Sequence, residues 1–150
     1  MKHFKISEFF NSAKAQELGI NNTTSDPAVI ANIETLVDNI LDPLREAFGQ
    51  PITISSGYRC PAVNSAVGGA KTSQHMFGQA ADIVAFARDS SGKLIKDNHG
   101  HAIIDRTANR RLYQMIIDLE LPFDQLIDES DFAWVHVSCS LCNRRQILKL

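Results

Sequence analysis

At 150 residues the chain is long enough for one compact domain with its own core, and 44% hydrophobic against 21% charged residues excludes disorder. A formal charge of −2 excludes the basic surplus that nonspecific nucleic-acid binding needs. No apolar run reaches the length of a membrane span, and Met1-Lys2-His3-Phe4-Lys5 leads into polar Ser7 and Glu8 rather than into a signal-peptide core. The expectation is a monomer, cytoplasmic as synthesised, with neither nucleic acid nor membrane as partner.

In chain order, a first helix is expected from Ser7 to Leu18, ended by Gly19. Ser25-Asp26-Pro27 then reads as a helix start, with a capping side chain and a proline whose missing N–H costs nothing there. Val29, Ile30, Ile33, Leu36, Val37, Ile40, Leu41 and Leu44 recur at helical spacing up to Gly49, and Pro43 inside that run predicts a kink or a split. Short strands are expected at Ile52 to Ser55, Ala80 to Ala85, Phe123 to Asp128 and Trp134 to Ser138, the last two forming a hairpin. Pro61 opens a short helix. The stretch from Asp89 to Gly100 has turn chemistry at both ends and reads as a projecting loop or small hairpin. A third long helix presents Leu112, Met115, Ile116 and Leu119 on one face and stops before Pro122. Helices first and a small, mostly antiparallel sheet afterwards define a single-domain α+β fold, with no internal repeat.

The chemistry is concentrated in two segments. Ser73-Gln74-His75-Met76-Phe77-Gly78-Gln79-Ala80-Ala81-Asp82 couples an imidazole to a carboxylate seven residues on, across a glycine turn. Asp82 falls in an apolar strand, where a charge needs a cation or a donor to offset its burial. In Trp134-Val135-His136-Val137-Ser138, alternation puts Trp134, His136 and Ser138 on one face and the valines on the core face. His136 can therefore aim at the point that His75 and Asp82 share. Two imidazoles and one carboxylate form the open donor set of a catalytic zinc site, which polarises carbonyls and acidifies water.

Ser73, His75, Gly78, Ala80 and Asp82 fit the pattern SxHxxGxAxD, and with it the chain resembles the D-Ala-D-Ala metallopeptidases, more narrowly the peptidase M15A group with its phage-type endolysins. Further support lies in Ser56-Gly57-Tyr58-Arg59-Cys60-Pro61, Val67-Gly68-Gly69-Ala70, Phe123-Asp124-Gln125-Leu126-Ile127 and the His136 segment. The resemblance implies zinc on His75, Asp82 and His136, and a peptidoglycan stem peptide as substrate, cut as a carboxypeptidase or a cross-link endopeptidase. It also implies that Arg59 meets the substrate carbonyl or carboxylate, where a planar guanidinium suits the task. Ser73 either orients substrate or bonds its own loop, and Trp134 is a candidate substrate contact. An unexported endolysin would reach the wall through holin-type release.

The same resemblance leaves the proton acceptor open. Related enzymes place an acid three residues before the last zinc histidine, where this chain has Ala133, or a histidine two before, where it has Trp134. The hairpin turn offers Asp128, Glu129 and Asp131, with Asp131 narrowly preferred and Glu129 as the alternative reaching across from the neighbouring strand. The empty position 133 favours a competing reading, a zinc-bearing but non-catalytic cell-wall or protein-binding module. Cys60, Cys139 and Cys142 read as free thiols, since the Cys139-x-x-Cys142 pair lacks a second ligand pair nearby. Arg110, Arg111, Arg144 and Arg145 read as solvated faces.

Overall fold

Short polar side chains start the helices of this protein, whose computed structural model describes residues 1–150. Ser12 accepts from the Ala15 N–H to open α1 (Ala13–Leu18), and Asp26 accepts from Ala28 ahead of Pro27 to open α2 (Pro27–Leu36). Asp105 does the same for α5 (Arg106–Asp118) through the Ala108 N–H. The Ser12 cap also breaks the helix expected from Ser7 to Leu18. A 3-10 turn (Ile6–Phe10) comes first, Asn11 and Ser12 are extended, and Phe9 drops fully into the core. Pro43 splits the long apolar run by way of one π-helical turn (Val37–Leu41), which leads from α2 into α3 (Asp42–Phe48). Gly19 and Gly49 close α1 and α3 in the left-handed conformation.

The sheet consists of β1 (Thr53–Ser56), β2 (Ala80–Val84), β3 (Gln125–Glu129), β4 (Trp134–Ser138) and β5 (Gln146–Lys149), in the order β1-β2-β4-β3-β5. The first three junctions are antiparallel and β5 joins β3 in parallel. The fold is α+β, with the expected β3–β4 hairpin in place. β5 was not foreseen: it is mostly exposed, so it carries no alternating buried face, and backbone pairing with β3 defines it. A short helix, α4 (Pro61–Ala66), follows β1.

One face of the sheet, with Ala81, Ile83, Leu126, Val135 and Val137, joins Ile33, Leu36, Ile40, Leu44, Leu112 and Ile116 in a single core. The residues between them on the strands, Asp82, Ile127, Glu129, Trp134 and His136, face the other way and line a cavity. The helices thus cover one side of the sheet and leave the other for chemistry. The stretch from Asp89 to Gly100 lies in a small hairpin-like segment held by the bridges Phe86–Ile104, Arg88–Leu94 and Lys96–Ala102. Asp89 and Asp97 there each close a turn by accepting from the N–H groups two and four residues on.

Gly78 is where the chain turns from the His75 segment into β2. Its φ is +69°, and a Cβ would lie 2.6 Å from the Val29 carbonyl oxygen, so both conformation and space demand glycine. Gly78→Ala should therefore lower the free energy of unfolding by about 2 kcal/mol or more, measured by urea denaturation. Gly19 has a similar φ of +64° with nothing within 4 Å of a Cβ, so Gly19→Ala should cost only about 1 kcal/mol in the same assay.

Candidate metal centre

β2 and β4 pair with Asp82 directly opposite His136, so the two side chains leave the same face side by side. His75 approaches from the 3-10 turn (Gln74–Phe77) that precedes β2. Its Nδ1 lies 2.7 Å from the Gly57 carbonyl oxygen. A carbonyl only accepts, so Nδ1 carries the proton and Nε2 turns a bare lone pair toward the strands. That Nε2 is 3.2 Å from His136 Nδ1 and 3.3 Å from Asp82 Oδ1, and His136 Nδ1 is 3.0 Å from the same oxygen.

All three residues are buried. A tetrahedral ion with bonds of about 2.0 Å has ligand–ligand edges of about 3.3 Å, so the triangle of donor atoms fits an ion of zinc's size and ligand preference. Burial opposes the charge of Asp82, but the hydrogen bond from His136 outweighs it and holds the carboxyl well below the usual range. The second Asp82 oxygen accepts from Arg59 Nη2 at 3.1 Å, while Arg59 Nε donates to Ser56 Oγ at 3.1 Å. Arg59 thus orients and neutralises the carboxylate from the cavity wall. His136 Nε2 is buried and finds no acceptor, so packing and the centre itself orient that ring.

The centre lies in a cavity of about 630 Å³. Arg59, Ser73 and Trp134, expected at the substrate, all line it, and Glu129 does so as well. Glu129 pairs with Trp134 across the ladder and is therefore diagonal to His136, a separation of about 7–8 Å between backbones that leaves room for water. Burial and the neighbouring Asp82 charge push the Glu129 carboxyl above its ordinary value.

Asp131, the narrowly preferred acid, does not line the cavity. Ser130, Asp131 and Phe132 all have positive φ, and this left-handed turn swings Asp131 out of the cavity. Its side chain is 71% exposed and faces Arg110 at 4.0 Å. Asp128 is buried and spends Oδ1 on the Phe132 N–H. Among the turn acids, Glu129 alone lines the cavity.

Sequence reasoning missed a second polar cluster on the cavity wall. Buried Asp124 accepts from Arg144 N, Nε and Nη2 at 2.9, 2.9 and 2.7 Å and from Gln74 Nε2 at 2.8 Å. It ties the His75 turn to the segment ahead of β5, and Arg144 is no solvated bystander. The signal available was an acid at the mouth of a strand, inside Phe123-Asp124-Gln125-Leu126-Ile127. The cysteines are free thiols, with Cys139 buried, Cys142 exposed and Cys60 between; burial pushes the Cys139 thiol up.

A family profile described as Peptidase M15 matches residues 2–103, about two thirds of the chain. The chain belongs to the peptidase M15 family. His75, Asp82 and Arg59 of this M15 chain lie within the match, whereas Glu129, Trp134 and His136 lie beyond it. The chain is also similar to the zinc D-Ala-D-Ala carboxypeptidase of Streptomyces albus G, at 50% identity over 46 residues. That stretch covers 30% of this chain and 18% of the relative, so the likeness spans less than a fifth of the relative's length.

Hydrogen bonds from Arg144, working against burial, lower the Asp124 pKa from 3.8 to about 2. A depressed carboxyl contributes stability that is present above its ordinary pKa and is lost as pH falls through the folded value. Arg144→Ala should therefore destabilise the M15 chain fully above about pH 4, and the difference from wild type should vanish near pH 2. Denaturation curves for both proteins across that range check it; a pH-independent difference contradicts it.

Proposed function

We propose that this chain is a zinc-dependent D,D-peptidase that hydrolyses the D-Ala-D-Ala bond of peptidoglycan stem peptides as a carboxypeptidase. One observation carries the reading: three buried lone pairs meet at tetrahedral spacing in an open cavity, with a single partly buried carboxyl group, Glu129, across from them. The name of the Streptomyces albus G relative supports zinc and the D-alanyl substrate.

In this reading His75 Nε2, Asp82 Oδ1 and His136 Nδ1 hold the ion. Zinc held there supplies polarisation of a carbonyl and acidification of water. Glu129 takes the proton of the attacking water and returns it to the leaving amine, a task helped by a carboxyl raised above its ordinary value. Arg59 holds Asp82 oriented, and the Nη1 that Ser56 and Asp82 leave uncommitted donates to charge developing on the substrate oxygen. The Ser73 hydroxyl, not used as a helix cap, and the Trp134 ring, both on the cavity wall, orient the peptide. Glu129 in the cavity supplies what position 133 lacks, which favours catalysis over a purely binding role.

The test uses zinc-loaded protein with a muropeptide ending in D-Ala-D-Ala and with a cross-linked muropeptide dimer. The wild type should release D-alanine and stop on chelation. Glu129→Gln should lower kcat by about 10²-fold or more with zinc still bound, and Asp131→Asn should stay within about threefold of wild type. Cleavage of the dimer alone would make the enzyme an endopeptidase, and inertness toward both would overturn the proposal.

A further inference from the structure

The turn that joins Glu129 to Trp134 is built against the ordinary preference of its residues. Ser130, Asp131 and Phe132 have φ of 51°, 54° and 58°, three successive non-glycine residues in the left-handed region. The Ala133 N–H donates to the Glu129 carbonyl at 3.0 Å, closing one helical turn of the wrong hand. Such a conformation persists only where its surroundings over-determine it.

Those surroundings come largely from one face of α5, at residues 106, 109, 110 and 113. Arg106 Nη1 donates to the Ser130 carbonyl at 2.6 Å and to the Asp131 carbonyl. Asn109 Nδ2 donates to the Phe132 and Ala133 carbonyls at 2.9 and 3.2 Å. Its Oδ1 accepts from the Ala85 N–H at 2.8 Å, just past the end of β2, so one fully buried amide links the turn to the strand of Asp82. The Phe132 ring meets Tyr113 edge-on at 5.5 Å and lies 4.8 Å under the Arg110 guanidinium. Arg106 is also the first residue of α5, where the helix dipole disfavours a cation, so its place serves the turn rather than the helix.

We infer that this face of α5 is a clamp that holds Glu129 and Trp134 at the cavity, with Arg106 and Asn109 as positioning residues for the reaction. The consequence for catalysis rests on the proposed role of Glu129; the mechanical claim does not. Released from α5, the three left-handed residues relax to ordinary backbone, and the two side chains flanking the turn leave their register with His136. A misplacement of about 1 Å costs as much as 10²-fold in rate.

Trp134 is the only tryptophan in the chain, so its emission reports the turn independently of activity. In zinc-loaded protein, Arg106→Ala should retain one equivalent of zinc, shift the Trp134 emission, and lower kcat by about tenfold or more with KM within about twofold. Adding Ser130→Gly, which removes the strain at the first of the three left-handed residues, should restore part of both the emission and the rate. Arg106→Lys, which keeps a charged donor without the fork, should fall between wild type and Arg106→Ala. Unchanged emission and rate in Arg106→Ala would overturn the clamp, as would a loss of rate, zinc or folded state that Ser130→Gly does not repair. An inert wild type with a rescued emission shift would instead remove the role of Glu129 and leave the clamp standing.

Discussion

The structure turns on three hydrogen-bond acceptors brought within 3.3 Å of one another in a buried place. His75 has already given its one proton to the Gly57 carbonyl, and Asp82 is held ionised. Without a cation, a single proton on His136 must serve both neighbours, and two lone pairs still face each other. Burying polar atoms in such an arrangement is costly, so the fold must supply that energy elsewhere, and a divalent ion returns it.

The rest of the molecule can be read as what keeps that triangle closed. Ladder register matters most: Asp82 faces His136 only in the observed pairing, and a slip of one residue would send Asp82 into the helical core. The His75 turn is fixed from three directions. Gly57 offers its carbonyl while its own Cα runs so close to Phe9 that a Cβ would lie 2.6 Å away. Gly78 lets the following chain press on α2, and Asp124 holds Gln74 from the far side. Arg59 completes the set by neutralising Asp82 from the cavity wall. These contacts come from separate elements, so the centre depends on the whole core rather than on any local motif.

How much of this was legible in the sequence follows the range of the interactions. The triangle was legible because strand alternation and a glycine turn are local rules, and they put His136, Asp82 and His75 on a common face. The helix starts at Asp26 and the stop at Gly49 were legible for the same reason. That Glu129 lines the cavity while Asp131 does not was harder to read, because the turn after Glu129 is left-handed without containing a glycine. Arg106 and Asn109, more than twenty residues upstream, impose that shape. The Asp124–Arg144 link spans twenty residues with no periodic signal, and β5 has no buried face to betray it. Pro43 announced a break but not its form, since a single π-helical turn was as compatible with the pattern as a kink.

The most direct test of the central claim is X-ray absorption at the zinc edge of the loaded protein. The account predicts a first shell of nitrogen and oxygen only, at about 2.0–2.1 Å, with the multiple scattering of two imidazoles and no sulfur. A sulfur shell near 2.3 Å would place the metal on Cys139 and Cys142 and contradict the assignment of His75, Asp82 and His136.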